Sequence, residues 1–403
     1  MNLLKPHDIW PPHDLYKQMA NVSYAYLDQV QTLSIKDGSG VIAQFENMLT
    51  EYYGVKYAIG LNSGTSAVHS ALFAVGIQDD DEVICQVSTF HASITPLMQT
   101  GGIPVLCDTD GSTGNIDIED VKNKITDKTK AIIVTHMWGY PADMDEIMEI
   151  ANQHNLFVIE DCSHAHGTVY KGRKTGTIGH IGVFSMQASK IVPAGEGGYL
   201  ITSDRNLYER ALLFGQFGER LNLQLTVPDL HAFWETGMGL KYRMHPLAAV
   251  CAIVAFKHFA HYLRLRRKRI HAFHEYIKDI PALNHLIEES PLDRYSYFMN
   301  RMQYEPEHIS GIPIKSVVKD LRELGLDIRI ASHRPLYHLP VFQGKRLVGN
   351  DNLSRWPIYT QAQFPKTVSY FESLLGLPRF DHPEGDRLVE YYGQTLRQYF
   401  LKR

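Results

Sequence analysis

The sequence predicts an α/β protein: a large domain with a mainly parallel sheet between helices, followed by a smaller C-terminal α/β domain. Three observations lead there. From Tyr57 onward, short apolar runs alternate with segments of helical period, the signature of strands joined by crossover helices. The runs are apolar almost throughout and bounded by polar turns, as strands covered on both faces are. The chain of 403 residues exceeds what one compact core holds, and its pattern changes near residue 255. We therefore expect an N-terminal segment and large domain over 1–255 and a smaller domain over 256–403.

The elements follow in order. The segment before Gly40 carries three prolines among its first dozen residues and little periodicity, and is expected to pack across the large domain. The strand YAIGL (Tyr57 to Leu61) precedes a helix that buries Val68, Leu72 and Val75. EVICQV, followed by another helical stretch, then PVLCD, AIIVTH and FVIED supply further strands. A long helix is expected within Lys241 to Ala255, continuing into the basic run Arg264 to Arg269 (RLRRKR), read as a solvated helix face. A strand in RYSYFMNRMQY, a helix over Lys315 to Leu324 and a closing helix near Tyr370 to Leu375 complete the smaller domain.

Composition excludes several functions. A formal net charge of -4, without a basic groove interleaved with aromatics, gives no footprint for nucleic acid. No apolar stretch reads as a membrane span, and MNLLKPHDIWPPHD has no signal-peptide core. The four cysteines show no paired spacing, and three lie in or beside apolar runs, which fits a reduced, cytoplasmic protein. The 20 histidines form no convincing metal pattern.

The chemistry concentrates at the ends of predicted strands, where ligands of parallel sheets gather. Asn62-Ser63-Gly64-Thr65-Ser66 follows YAIGL and opens a helix. It reads as a phosphate cradle or as an ordinary helix cap. Asp161 ends the apolar FVIED; a carboxylate there needs a cation or a metal, or caps the next turn. His164 follows on the same side, as a ligand contact or a packed ring. Lys190 lies between the strand IGVFSM and the turn AGEGG, and a lysine among apolar residues can have the depressed pKa that Schiff-base chemistry requires. Ser185, five residues upstream, is a further phosphate donor. Together, a phosphate site, a strand-end carboxylate and a loop lysine are the three anchors that pyridoxal phosphate (PLP) needs.

The motifs SGTSAVHSAL (Ser63 to Leu72), STFHAS (Ser88 to Ser93), EDCSHAHG (Glu160 to Gly167), YKGRKTGTIG (Tyr170 to Gly179), FSMQASK with AGEGG (Phe184 to Gly198), KYRMHPLAA (Lys241 to Ala249) and PLYHLPVF (Pro335 to Phe342) resemble the DegT/DnrJ/EryC1/StrS family of sugar and aminocyclitol aminotransferases. That resemblance runs from about Gly40 to about Pro378. It implies a fold-type I PLP-dependent transferase in which Lys190 carries the cofactor and Asp161 pairs with its pyridine nitrogen. It further implies His164 near the ring and its 3′-oxygen, Phe90 stacked on the ring, and Gly64, Thr65, Ser66 and Ser185 at the phosphate. Family members act as homodimers in which a partner residue closes the phosphate site. Lys241 stands where many members have asparagine, and His180 where many have aspartate.

The implied reaction moves an amino group from glutamate or glutamine to a keto-sugar, nucleotide-linked or free, or to a keto-aminocyclitol. Tyr337 and His338, with the Gly215 to Met238 loop and the N-terminal segment, are expected near the acceptor. A PLP-dependent dehydratase or lyase, or an enzyme like aminohydroxybenzoate synthase, is the alternative on the same scaffold. Retention of Lys190 argues against the dehydratases, which carry histidine there.

Overall fold

The computed structural model describes residues 10–286, 294–331, 333–345 and 351–402. Two helices open it, α1 (His13–Gln29) and α2 (Gly40–Tyr53). Then come β1 (Tyr57–Leu61), α3 (Gly64–Ala74), β2 (Glu82–Gln86), β3 (Ile103–Cys107), α4 (Ile118–Lys124), β4 (Thr129–Thr135), α5 (Met144–His154) and β5 (Phe157–Asp161). A short hairpin, β6 (Val169–Tyr170) and β7 (Arg173–Lys174), precedes β8 (Ile181–Ser185) and β9 (Gly198–Thr202). Helices α6 (Arg205–Gly215), α7 (Glu219–Gln224) and α8 (Pro228–His231) lead to the long α9 (Pro246–Ile277). The remainder holds β10 (Leu283–His285), β11 (Asn300–Tyr304), α10 (Ile314–Glu323), β12 (Arg329–Ile330), α11 (Pro365–Ser373), β13 (Leu374–Leu377) and α12 (Gly385–Leu401).

The large sheet has the order β1-β9-β8-β5-β4-β2-β3 and is parallel except for β9, which runs against both neighbours. Val68, Leu72 and Val75 of the α3 segment are buried against it, as the sequence predicts. The carboxyl ends of β1, β2, β4, β5 and β8 therefore converge on one edge. The smaller, antiparallel sheet has the order β10-β11-β13-β12.

Helix α9 runs unbroken through residues 255 and 256. Its first half, including Ala249, Ile253 and Phe256, packs with α1 and α2 in the large-domain core. Ile270, Phe273 and Ile277 belong to the core under the smaller sheet. By length and composition it is apolar enough to cross a membrane, contrary to the reading of the sequence, but much of its apolar window is buried inside the protein.

Several local expectations are corrected. The segment before Gly40 contains α1, which buries Leu15 and Met19. Two 3-10 turns, His91–Ser93 and Thr95–Gln99, replace the helix expected after EVICQV. The helix expected near Tyr370 to Leu375 is present as α11 but ends at Ser373; Leu374 and Leu375 form a strand instead, and α12 is the last helix. The basic run is not a solvated face, because Arg266, Arg267 and Arg269 are buried. Arg266 grips Asp381 through two hydrogen bonds of 3.0 and 2.8 Å. Arg267 donates to the carbonyls of Tyr295 and Gly167, and Arg269 to that of Phe380 and to Asp386. Partners 28 to 117 residues away, on both sides in sequence, thus turn the run into a clamp between separate segments of the chain.

Candidate active site

The converging strand ends surround a cavity of about 390 Å³, lined in part by Gly64, Thr65, Asp161, His164, Ser185 and Lys190. Ser63 caps α3, its Oγ accepting from Ser66 N at 3.1 Å. The cap leaves the N–H groups of Gly64 and Thr65, which have no intrahelical acceptor, at the positive end of the helix dipole. Gly64 has to be glycine: an added Cβ would lie 2.6 Å from Ser185 Cβ. Gly198 packs against the Ser63 backbone in the same way. These two contacts bring the start of α3, the end of β8 and the start of β9 together.

Ser66 is part of the cap rather than the cavity wall. Its hydroxyl donates to Asn62 Oδ1 at 2.6 Å, which leaves Gly64, Thr65, Ser63 and Ser185 facing the cavity.

Asp161 ends β5 and is 4% exposed. Its Oδ2 accepts from Ser93 Oγ at 2.6 Å and its Oδ1 from Ser163 N at 3.0 Å. Behind Ser93, the hydroxyls of Thr89 and Thr135 continue a chain of hydrogen bonds, each 2.8 Å long. A hydroxyl relay thus fixes the carboxylate in place. Sequence reading missed it, although Ser93 and Thr89 lie within the STFHAS motif.

Lys190 sits in the β8–β9 connection. That loop is folded by Met186 N to Gly197 O, Ala188 N to Gly195 O and Ala194 N to Met186 O, and turned at Gly195 with φ +81°. Trp10 Nε1 donates to the Lys190 carbonyl at 2.7 Å, so the N-terminal segment braces this loop. The lysine as a whole is half-buried, with its Nζ 4.7 Å from the Phe298 ring centroid. Loss of water pulls the amine from 10.5 down to about 8, against the opposing pull of Asp161. At pH 7 about a tenth of it is free base, roughly 300-fold more than for an ordinary lysine.

His164 is buried, its ring nearly parallel to those of Trp138 and Phe298, and its Nδ1 has no hydrogen-bond partner among the described residues. Burial, and then the Lys190 charge, hold its pKa well below 6.5. Phe90, 56% exposed, stands at the cavity wall. Lys241 is exposed and outside the wall, although its neighbour Tyr242 accepts from Asn62 N and hydrogen-bonds His69. Tyr337 is buried and stacked on Phe364, and neither it nor His338 reaches the cavity; His333, upstream, does. His180 has a structural account: its Nδ1 accepts from Val158 N at 2.9 Å, at the start of β5.

Two neighbouring polar groups are structural. Glu160 accepts from the N–H groups of Gly176, Ile178 and Gly179 and pairs with His136 Nε2 at 2.9 Å. Because His136 Nδ1 accepts from Ala142 N, its proton lies on Nε2 and is donated to Glu160. All four cysteines are free thiols, three of them buried.

Residues 25–384 match the profile of the DegT/DnrJ/EryC1/StrS aminotransferase family. A GDP-perosamine synthase of Escherichia coli O157:H7 is 36% identical over 265 residues, 66% of this chain and 70% of that protein. Another from Caulobacter vibrioides is 33% identical over 319 residues, covering 78% and 82%. The crystal structure of an aminotransferase from Psychrobacter cryohalolentis superimposes with a TM-score of 0.83 at 28% identity, covering 98% of this chain and 99% of that one. This chain belongs to the DegT/DnrJ/EryC1/StrS aminotransferase family.

Proposed function

We propose that this PLP-dependent aminotransferase moves an amino group from glutamate or glutamine to a nucleotide-linked keto-sugar, with Lys190 as the residue that binds the cofactor and shuttles the proton. The observation that carries the reading is one cavity holding a desolvated lysine amine, a fixed carboxylate and a helix N-terminus.

The residues suit the cofactor. The unpaired N–H groups at Gly64 and Thr65, with the hydroxyls of Ser63 and Ser185, would hold its phosphate. Asp161 would keep the pyridine nitrogen protonated, and Phe90 would cover the ring. His164, whose buried Nδ1 has no partner among the described residues, would meet the ring oxygen. When bound, PLP supplies the electron sink for the carbanion left by proton removal. Lys190 has the free-base fraction to take that proton at neutral pH and to return it at a neighbouring atom. The wall of His164, Phe298 and Trp138 limits water at that position.

The acceptor assignment rests on the relatives, named for GDP-perosamine, a nucleotide-linked amino sugar. We further propose a homodimer in which the exposed Lys241 serves the partner's phosphate site as a point charge, and a cytoplasmic location. The test is mass spectrometry of reactions with glutamate or glutamine and a panel of nucleotide-linked keto-sugars. Amination of the sugar, with formation of the oxo-acid in equal amount, supports the reading. Sugar turnover without donor consumption would move the protein to the dehydratases.

A further inference from the structure

The His164 ring does not stand alone in the cavity wall. It is nearly parallel to Trp138, at 5.8 Å and 12°, and to Phe298, at 4.2 Å and 17°. A cation lies against each of these flanking rings: the Arg301 guanidinium 4.5 Å from the Trp138 centroid, and Lys190 Nζ 4.7 Å from that of Phe298. The members come from separate segments: Trp138 from the turn after β4, His164 from beyond β5, Phe298 from the entry to β11 and Arg301 from within that strand.

Two features mark the arrangement as more than packing. Trp138 has φ +57°, a left-handed backbone that a bulky side chain rarely adopts, and backbone strain of this kind persists only where the surroundings enforce it. Gly139 beside it, also at positive φ, leaves no room for a Cβ next to Ser296, whose hydroxyl donates to the His164 carbonyl at 2.9 Å. Arg301, in turn, forms no ion pair among the described residues, and its Nε is buried without a hydrogen-bond partner. Room for its guanidinium exists because residue 376 on the adjacent strand is glycine. The Trp138 face is the compensation a desolvated guanidinium finds there.

We propose that Trp138 and Phe298 clamp His164 between them and that Arg301, against the far ring, is a remote positioning residue which keeps His164 neutral and fixed as a hydrogen-bonding group for the cavity's ligand. Protonating His164 would place a third positive charge between Arg301 and Lys190 within one run of stacked rings. The titratable groups facing it are Lys190, His333, Arg301 and His166, with Asp161 in the same cavity. His333 and His166 are themselves held neutral by burial, so Arg301 and Lys190 are the cations that act on the ring. The inference goes beyond the aminotransferase reading in naming these residues, but it rests on that reading for the ligand His164 serves.

The test uses cofactor-free protein, so it is independent of catalysis. Hydrogen exchange at the His164 ring carbon between the two nitrogens, followed by mass spectrometry, reports both protonation and shielding of the ring. In Arg301→Met the pH midpoint is expected to rise, with burial and the Lys190 charge still holding it low, seen as a several-fold faster exchange at neutral pH where the midpoint itself is too low to reach. Arg301→Lys, which keeps the charge, should restore the slow rate. Trp138→Leu should speed exchange further by releasing the ring. If Arg301→Met fails to fold, as judged by circular dichroism, Arg301→Lys against Trp138→Leu carries the comparison: slow exchange in the first and faster exchange in the second is expected. Equal exchange at His164 in wild type and Arg301→Met, or in Arg301→Lys and Trp138→Leu in that fallback, would overturn the proposal, whatever the amino-transfer assay shows.

Discussion

Replacing Lys190 by methionine is expected to make the cofactor-free protein more stable, not less. The amine pays for its place in the cavity: loss of water lowers its pKa from 10.5 to about 8. At about 1.4 kcal/mol per pH unit, the shift corresponds to about 3 kcal/mol, and solvent at the half-exposed stem reduces the expected gain to about 2 kcal/mol. The sign follows from proton linkage. Below pH 8 the lysine is charged in both states and the folded protein bears the whole penalty. Between pH 8 and 10.5 the unfolded chain binds more protons than the folded one, so stability rises with pH and the penalty fades. Methionine keeps the stem and removes the charge. Urea unfolding of both proteins without cofactor, at pH 7 and again near pH 10, reads the effect. The variant should be more stable at pH 7, and the gap should narrow at the higher pH. Equal stability at pH 7, or a gap unchanged by pH, would refute the claim that the amine is desolvated.

Other perturbations separate the site's parts. Asp161→Asn should lower kcat by about 100-fold or more with glutamate as donor, since the amide cannot keep a pyridine nitrogen protonated; pre-steady-state absorbance would show it. Ser93→Ala removes one hydrogen bond to that carboxylate and should weaken PLP retention by about tenfold, corresponding to about 1.5 kcal/mol, as read by equilibrium dialysis. Gly64→Ala forces a methyl group against Ser185 and should cost about 1–3 kcal/mol of stability in urea unfolding, with release of cofactor. Arg266→Met takes one of two arginines from the buried Asp381 carboxylate, leaving Arg379 at 3.3 Å, and should destabilise the protein by about 2–3 kcal/mol in the same assay, while leaving the cavity residues unaltered in sequence.

The sequence revealed those parts of the site that lie next to one another along the chain. Ser63 to Ser66 announces a helix cap after a strand, FVIED places Asp161 at a strand end, and AGEGG marks the turn beyond Lys190, all by local rules. The missed features depend on residues brought together from afar. Arg266 is buried because Asp381 meets it, 115 positions later, and no local pattern distinguishes that arginine from a solvated one. Trp138 and Phe298 read as ordinary aromatics until the turn after β4 and the entry to β11 flank His164. Leu374 and Leu375 carry a helix-like apolar spacing, yet pairing with β11 draws them into a strand. Tyr337 is drawn behind the wall by stacking on Phe364, which left His333 to face the cavity. His180, which the sequence left without an account, serves the Val158 N–H through its ring nitrogen, a contact from 22 positions away.

The most direct test of the central claim is borohydride reduction of the purified, PLP-loaded protein, followed by peptide mass mapping. The account predicts one modified peptide, with the pyridoxyl group on Lys190, and its disappearance when glutamate or glutamine is added before the reductant. A label on another lysine, or none at all, would contradict it.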